Sequence, residues 1–119
     1  MKRLLLILAV ALAAVSCSKE STMKGSYIAS SSYGTVYLEL LDDGNCVGHF
    51  DGNEERTGVY HFEGDKISIA LLLRKGKMTD YNYKAFALES GTVLSSSSIA
   101  IDGYEMYSKE KIHLTFIKR

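Results

Sequence analysis

The stretch VYLELLDDGNCVGHF, Val36 to Phe50, decides the fold. Val36, Leu38 and Leu40 recur at every second position, the period of a strand whose side chains alternate between two faces. The chain then meets Asp42, Asp43 and Gly44 and resumes the alternation with Cys46, Gly48 and Phe50. Two hairpin registers compete. A two-residue turn at Asp43–Gly44 sets Leu40 against Val47 and Val36 against Asp51. A three-residue loop, Asp42–Asp43–Gly44, with Gly44 left-handed at a bulge, sets Leu40 against Cys46, Leu38 against Gly48 and Val36 against Phe50. The second register puts one apolar face together and turns Glu39, Val47 and His49 outward. A slip of one residue would reverse every side chain, so the second is predicted.

The neighbouring segments extend this pattern. In GVYHFEGDKISIALL, Gly58 to Leu72, Gly58, Tyr60 and Phe62 share parity with Ile67, Ile69 and Leu71 across a turn at Glu63–Gly64 or Gly64–Asp65, while His61, Lys66 and Ser68 point outward. The C-terminal KIHLTFIKR turns Ile112, Leu114 and Phe116 inward. Proline is absent, and glycines punctuate short runs rich in Val, Ile, Tyr, Leu, Phe and Thr. Strands are predicted at 25–30, 34–41, 45–51, 56–62, 66–73, 80–89, 92–101 and 104–117, the last split near Ser108–Lys111. Consecutive hairpins without a crossover helix make an all-β, antiparallel up-and-down meander of about eight strands closing into a small barrel; a β-sandwich is the alternative.

Composition sets further bounds. The 119 residues carry 14 basic and 14 acidic side chains, a balance that offers no electrostatic case for nucleic acid. Lys2 and Arg3 precede an unbroken apolar run, Leu4 to Val15, that is too short to span a bilayer and suits a signal peptide. AVSC, Ala14 to Cys17, ends that run and resembles the lipobox of bacterial lipoproteins. The resemblance implies a signal peptide at 1–16, a diacylglycerol thioether on Cys17 and a polar tether at 17–24, ahead of a β-barrel domain at 25–119. Ser18 after the cysteine implies the outer membrane of a Gram-negative cell, with the periplasmic or surface face open. With Cys17 lipidated, Cys46 has no partner in the chain and reads as a small buried hydrophobe.

GSY (Gly25 to Tyr27), GVY (Gly58 to Tyr60) before GDKISI, and the closing LTFIKR make the layout resemble small bacterial lipocalin-like domains, relatives of the calycin barrels. Tyr27 stands where that family usually has tryptophan. The resemblance implies a barrel binding a small apolar or amphipathic molecule, without enzymatic activity or a cofactor. Tyr27, Val36, Leu38, Phe50, Tyr60, Ile69, Leu114 and Phe116 are the inward candidates for lining such a cavity. The alternative is a structural or inhibitory module that docks a protein partner in the cell envelope. For that role Tyr81 and Tyr83, read as sharing one face of a strand, join Tyr104 as the candidate surface, because tyrosine combines a large apolar body with a polar tip. Tyr107 lies nearby.

The remaining polar motifs read as structure. His49, His61 and His113 face outward; His49 and His61 are expected as diagonal neighbours, yet no ligand set completes a zinc site, so no metal is expected. DGNEE, Asp51 to Glu55, lacks the glycine and closing glutamate of a calcium loop and reads as a polar hairpin loop. RKGK, Arg74 to Lys77, is a basic turn, with phosphate contact as its functional alternative. The serines at 30–32 and 95–98 have no elbow motif or neighbouring base and read as strand or loop.

Overall fold

Eight antiparallel strands, each hydrogen-bonded to its sequence neighbours, close into one barrel in the computed structural model, which describes residues 22–119. The strands are β1 (Gly25–Ser31), β2 (Gly34–Leu40), β3 (Asn45–Phe50), β4 (Arg56–Glu63), β5 (Lys66–Lys75), β6 (Lys84–Ser95), β7 (Ser98–Glu105) and β8 (Lys111–Lys118). The expected meander is the observed one, and closure of β1 on β8 excludes the sandwich. The leader at 1–16 and Cys17 lie outside the described residues.

The β2–β3 hairpin has the predicted register: Leu40 opposes Cys46, Leu38 opposes Gly48 and Val36 opposes Phe50. Gly44 is left-handed at φ 75°, and a Cβ there would sit 3.1 Å from the Tyr60 carbonyl oxygen. Asp43 is left-handed too, at φ 59°. In the β4–β5 hairpin Glu63 pairs with Lys66, so Gly64–Asp65 forms the turn, and Tyr60 opposes Ile69.

The C-terminal strands run differently from the prediction. The segments 80–89 and 92–101 are replaced by β6 and β7, which meet at the turn between Ser95 and Ser98. The long segment 104–117 is split as expected, between the end of β7 at Glu105 and the start of β8 at Lys111. Gly91 and Gly103, read as turn glycines, lie inside strands. A Cβ on Gly91 would come within 2.1 Å of the Ala100 carbonyl oxygen, and one on Gly103 equally close to that of Ala87. These positions lack side chains because adjacent backbone crowds them. Bulges between Ser68 and Leu71 and between Leu88 and Ser90 accompany them and coil the sheet enough to close it.

One contiguous apolar cluster fills the interior, including Tyr27, Phe50, Phe86 and Phe116. Cys46 belongs to it, and burial pushes its thiol up to about 11 against a weaker opposing hydrogen bond with the Gly58 backbone. Residues 22–24, expected as tether, are part of the folded unit. Met23 is buried, the Tyr27 hydroxyl donates to its carbonyl oxygen, and Lys24 pairs with Asp42 at 2.8 Å. The chain therefore enters at the barrel end that carries the β2–β3, β4–β5 and β6–β7 turns, called proximal below. No helix among the described residues is long and apolar enough to cross a membrane.

Candidate functional site

The eight inward candidates, Tyr27, Val36, Leu38, Phe50, Tyr60, Ile69, Leu114 and Phe116, are all buried. They pack on one another within the central cluster. Tyr27 and Tyr60 bring hydroxyls into this apolar setting and each finds a backbone acceptor, Met23 and Leu41 respectively. Burial raises the Tyr27 phenol above its ordinary range.

Closure is uneven. β1 and β8 pair only at Tyr27–Lys118 and Ile28–Ile117. Beyond those pairs the strands part and leave a concavity of about 350 Å³, with Ser30, Ser31 and Ser32 on one side, Glu110, Lys111 and His113 on the other, and Phe50 and Leu114 among its lining. The Tyr33 hydroxyl donates to Glu110 at 3.1 Å across this opening. Its ring packs on Phe86, centroids 4.8 Å apart, and Phe86 packs on Phe50 at 5.2 Å. The Glu110 hydrogen bond, then burial and the charges of Glu110 and Glu105, raise the Tyr33 phenol.

Among the described residues, Glu105 is the buried acidic one, at the end of β7. Its carboxylate accepts the backbone N–H groups of Ala85, Tyr107 and Ser108 at 3.1, 3.0 and 2.8 Å. Burial pushes this carboxyl up, but the hydrogen bonds from Ser108, Ala85 and Tyr107 together outweigh burial and hold it below the usual carboxylate range. Its work is local: it fixes the β7–β8 turn.

The outer wall of β6, β7 and β8 forms a broader groove of about 800 Å³, lined by Glu89, Asp102, Tyr104, Lys109 and His113. Ser90, Asp102 and His113 stand in one cross-strand row, with His113 Nδ1 2.5 Å from Asp102 Oδ1. The order puts the carboxylate, not the imidazole, beside the hydroxyl, so the row lacks the relay that activates a serine. Lys109 lies over the Tyr104 ring at 5.6 Å.

The three surface tyrosines do not share a strand face. Tyr81 and Tyr83 lie in the β5–β6 loop rather than on a strand, and Tyr104 is on β7. Tyr83 instead meets Tyr107 of the β7–β8 loop, ring centroids 5.9 Å apart. Met78, Tyr81, Met106 and Tyr107 are exposed around them, and Tyr81 is wholly so at 102 %. This cluster caps the distal end, opposite the point of chain entry. Met78 and Met106 were missed because a methionine next to a turn has no periodicity to mark it.

The histidines are scattered. His49 stacks on Tyr37 at 5.0 Å, while the β3–β4 register, with Gly48 opposite Arg56 and Asn45 opposite Val59, carries His61 to the other end of the ladder. They are not neighbours. No group of three or more metal-ligating side chains gathers among the described residues. The fold and these sites define a small up-and-down β-barrel with an apolar core; Met78, Tyr81, Met106 and Tyr107 are exposed on its distal loops, while Leu94 and Ile117 are exposed beside the proximal β6–β7 turn and Val59 on the β4 wall. Compared with known proteins, the chain matches no family, no curated protein and no solved structure.

Proposed function

We propose that this protein is a non-enzymatic, lipid-anchored module of the cell envelope that docks a protein partner through its distal end. The observation that carries the reading is the opposition of the two ends. Thr22 enters at the proximal end, only five residues after Cys17, while Met78, Tyr81, Tyr83 and Tyr107 gather at the other. A diacylglycerol on Cys17 would hold the proximal end at a leaflet and present the distal loops away from it. Tyrosine and methionine are side chains that interfaces favour, and a packed interior leaves binding to the outside.

A photo-crosslinking residue at Tyr81, compared with one at proximal Asp65, tests the docking in intact cells. A discrete adduct from position 81 and none from position 65 is expected; equal labelling, or none, overturns the reading. Cys17→Ala should move the protein from the membrane to the soluble fraction.

The opening between β1 and β8 favours a second reading, binding of a small amphipathic molecule. Phe50 and Leu114 give that concavity an apolar floor under a polar rim. Native mass spectrometry of the purified protein distinguishes this reading by a co-purified small molecule.

A further inference from the structure

Between the β3–β4 loop and the β5–β6 loop lies a distal concavity of about 480 Å³, lined in part by Arg56, Arg74, Lys77 and Tyr83. The Gly76 N–H donates to Asn53 Oδ1 at 2.8 Å and ties the two loops together. Arg74 Nε is the one buried side-chain nitrogen or oxygen among the described residues with no hydrogen-bond partner. Its Nη1 reaches only the Met78 sulfur, at 4.0 Å. Glu54 and Asp80 also line the concavity, but among the described residues neither forms an ion pair with Arg56 or Arg74. Asp80 Oδ2 is already engaged by the Lys77 N–H at 2.9 Å.

A buried donor without an acceptor has lost its water and gained nothing in exchange, so such groups are rare and point to an absent partner. Guanidinium groups present planar forks of N–H donors that match the paired oxygens of carboxylates and phosphates. We propose that this concavity is an oxyanion site, seating a phosphate or carboxylate group of a small molecule against the Arg74 guanidinium with Arg56 beside it. Lys77 adds a third positive charge. The site stands independently of the partner-docking reading, because it is argued from an unfilled donor rather than from exposed apolar surface.

The test follows the arginine Nε–H signals of the ¹⁵N-labelled full-length protein by NMR in uncharged detergent micelles. Inorganic phosphate and then acetate are titrated in, with sodium chloride at matched ionic strength as reference. The Arg74 signal should shift saturably with phosphate, acetate or both, while Arg119, which lies over the Tyr37 ring at 5.2 Å, stays still. Arg74→Lys keeps the charge but removes the fork, and should weaken binding about tenfold or more, read from the Arg56 signal. Equal movement of Arg74 and Arg119 in all three salts, meaning an adventitious ion only, overturns the proposal. So does a silent Arg74 in the wild type, or full affinity in Arg74→Lys.

Discussion

The two ends of this barrel have been finished differently. At the proximal end the turns are short, Met23 is buried, and the Tyr27 and Tyr60 hydroxyls are satisfied by backbone carbonyls. At the distal end the connections at 51–55, 76–83 and 106–110 are longer, Met78, Tyr81 and Tyr107 stand in solvent, and Arg74 Nε has no acceptor. The proximal end is closed by short turns and satisfied hydroxyls, with its exposed apolar residues, Leu94 and Ile117, on strands; the distal end carries its tyrosines and methionines on long loops, beside an unmet donor. Features that contribute little to folding and persist at one pole are where binding is expected.

The contrast can be broken first in the core it depends on. Phe116 is fully buried and belongs to the central cluster, so Phe116→Ala should destabilise the fold by about 4 kcal/mol, read as a lower urea midpoint. A loss below ~1 kcal/mol would mean that the interior is loosely filled, against the packing described above.

Glu105 gives a smaller, pH-dependent effect. Its folded carboxyl is held below the usual range, so the stability it supplies is present above the unfolded-state pKa and disappears as pH falls through the lower folded value. Glu105→Gln should cost about 2 kcal/mol at neutral pH, because an amide offers the turn N–H groups a weaker acceptor. The gap between wild type and variant should close in acid, measured as urea midpoints from pH 7 downward; a gap independent of pH would show that the charge is irrelevant.

Tyr81→Ser should leave stability unchanged within about 0.5 kcal/mol, since the side chain is wholly exposed, yet reduce crosslinking by neighbouring distal positions. A large loss of stability there would erase the distinction between the two ends.

Much of the fold could be read directly. The β2–β3 and β4–β5 registers follow from alternation plus a turn, because only one parity buries the apolar set. The same reasoning failed after residue 80, where Gly91 and Gly103 looked like turns. A glycine accommodating the backbone of an adjacent strand has no local signature that separates it from a turn glycine. The surface tyrosines failed likewise: Tyr81 and Tyr83 alternate like strand residues, but the strand begins at Lys84.

Alternation along each segment therefore determined by itself that this chain forms strands, which side chains face inward, and that consecutive strands pair as hairpins. Those are short-range consequences of the pleat and the turn. The two-pair extent of the β1–β8 closure, the pairing of Tyr83 with Tyr107, and the placing of Arg56 and Arg74 around one concavity were decided only in three dimensions. They depend on how far the sheet coils, and that curvature is set by bulges and backbone contacts between strands distant in the chain.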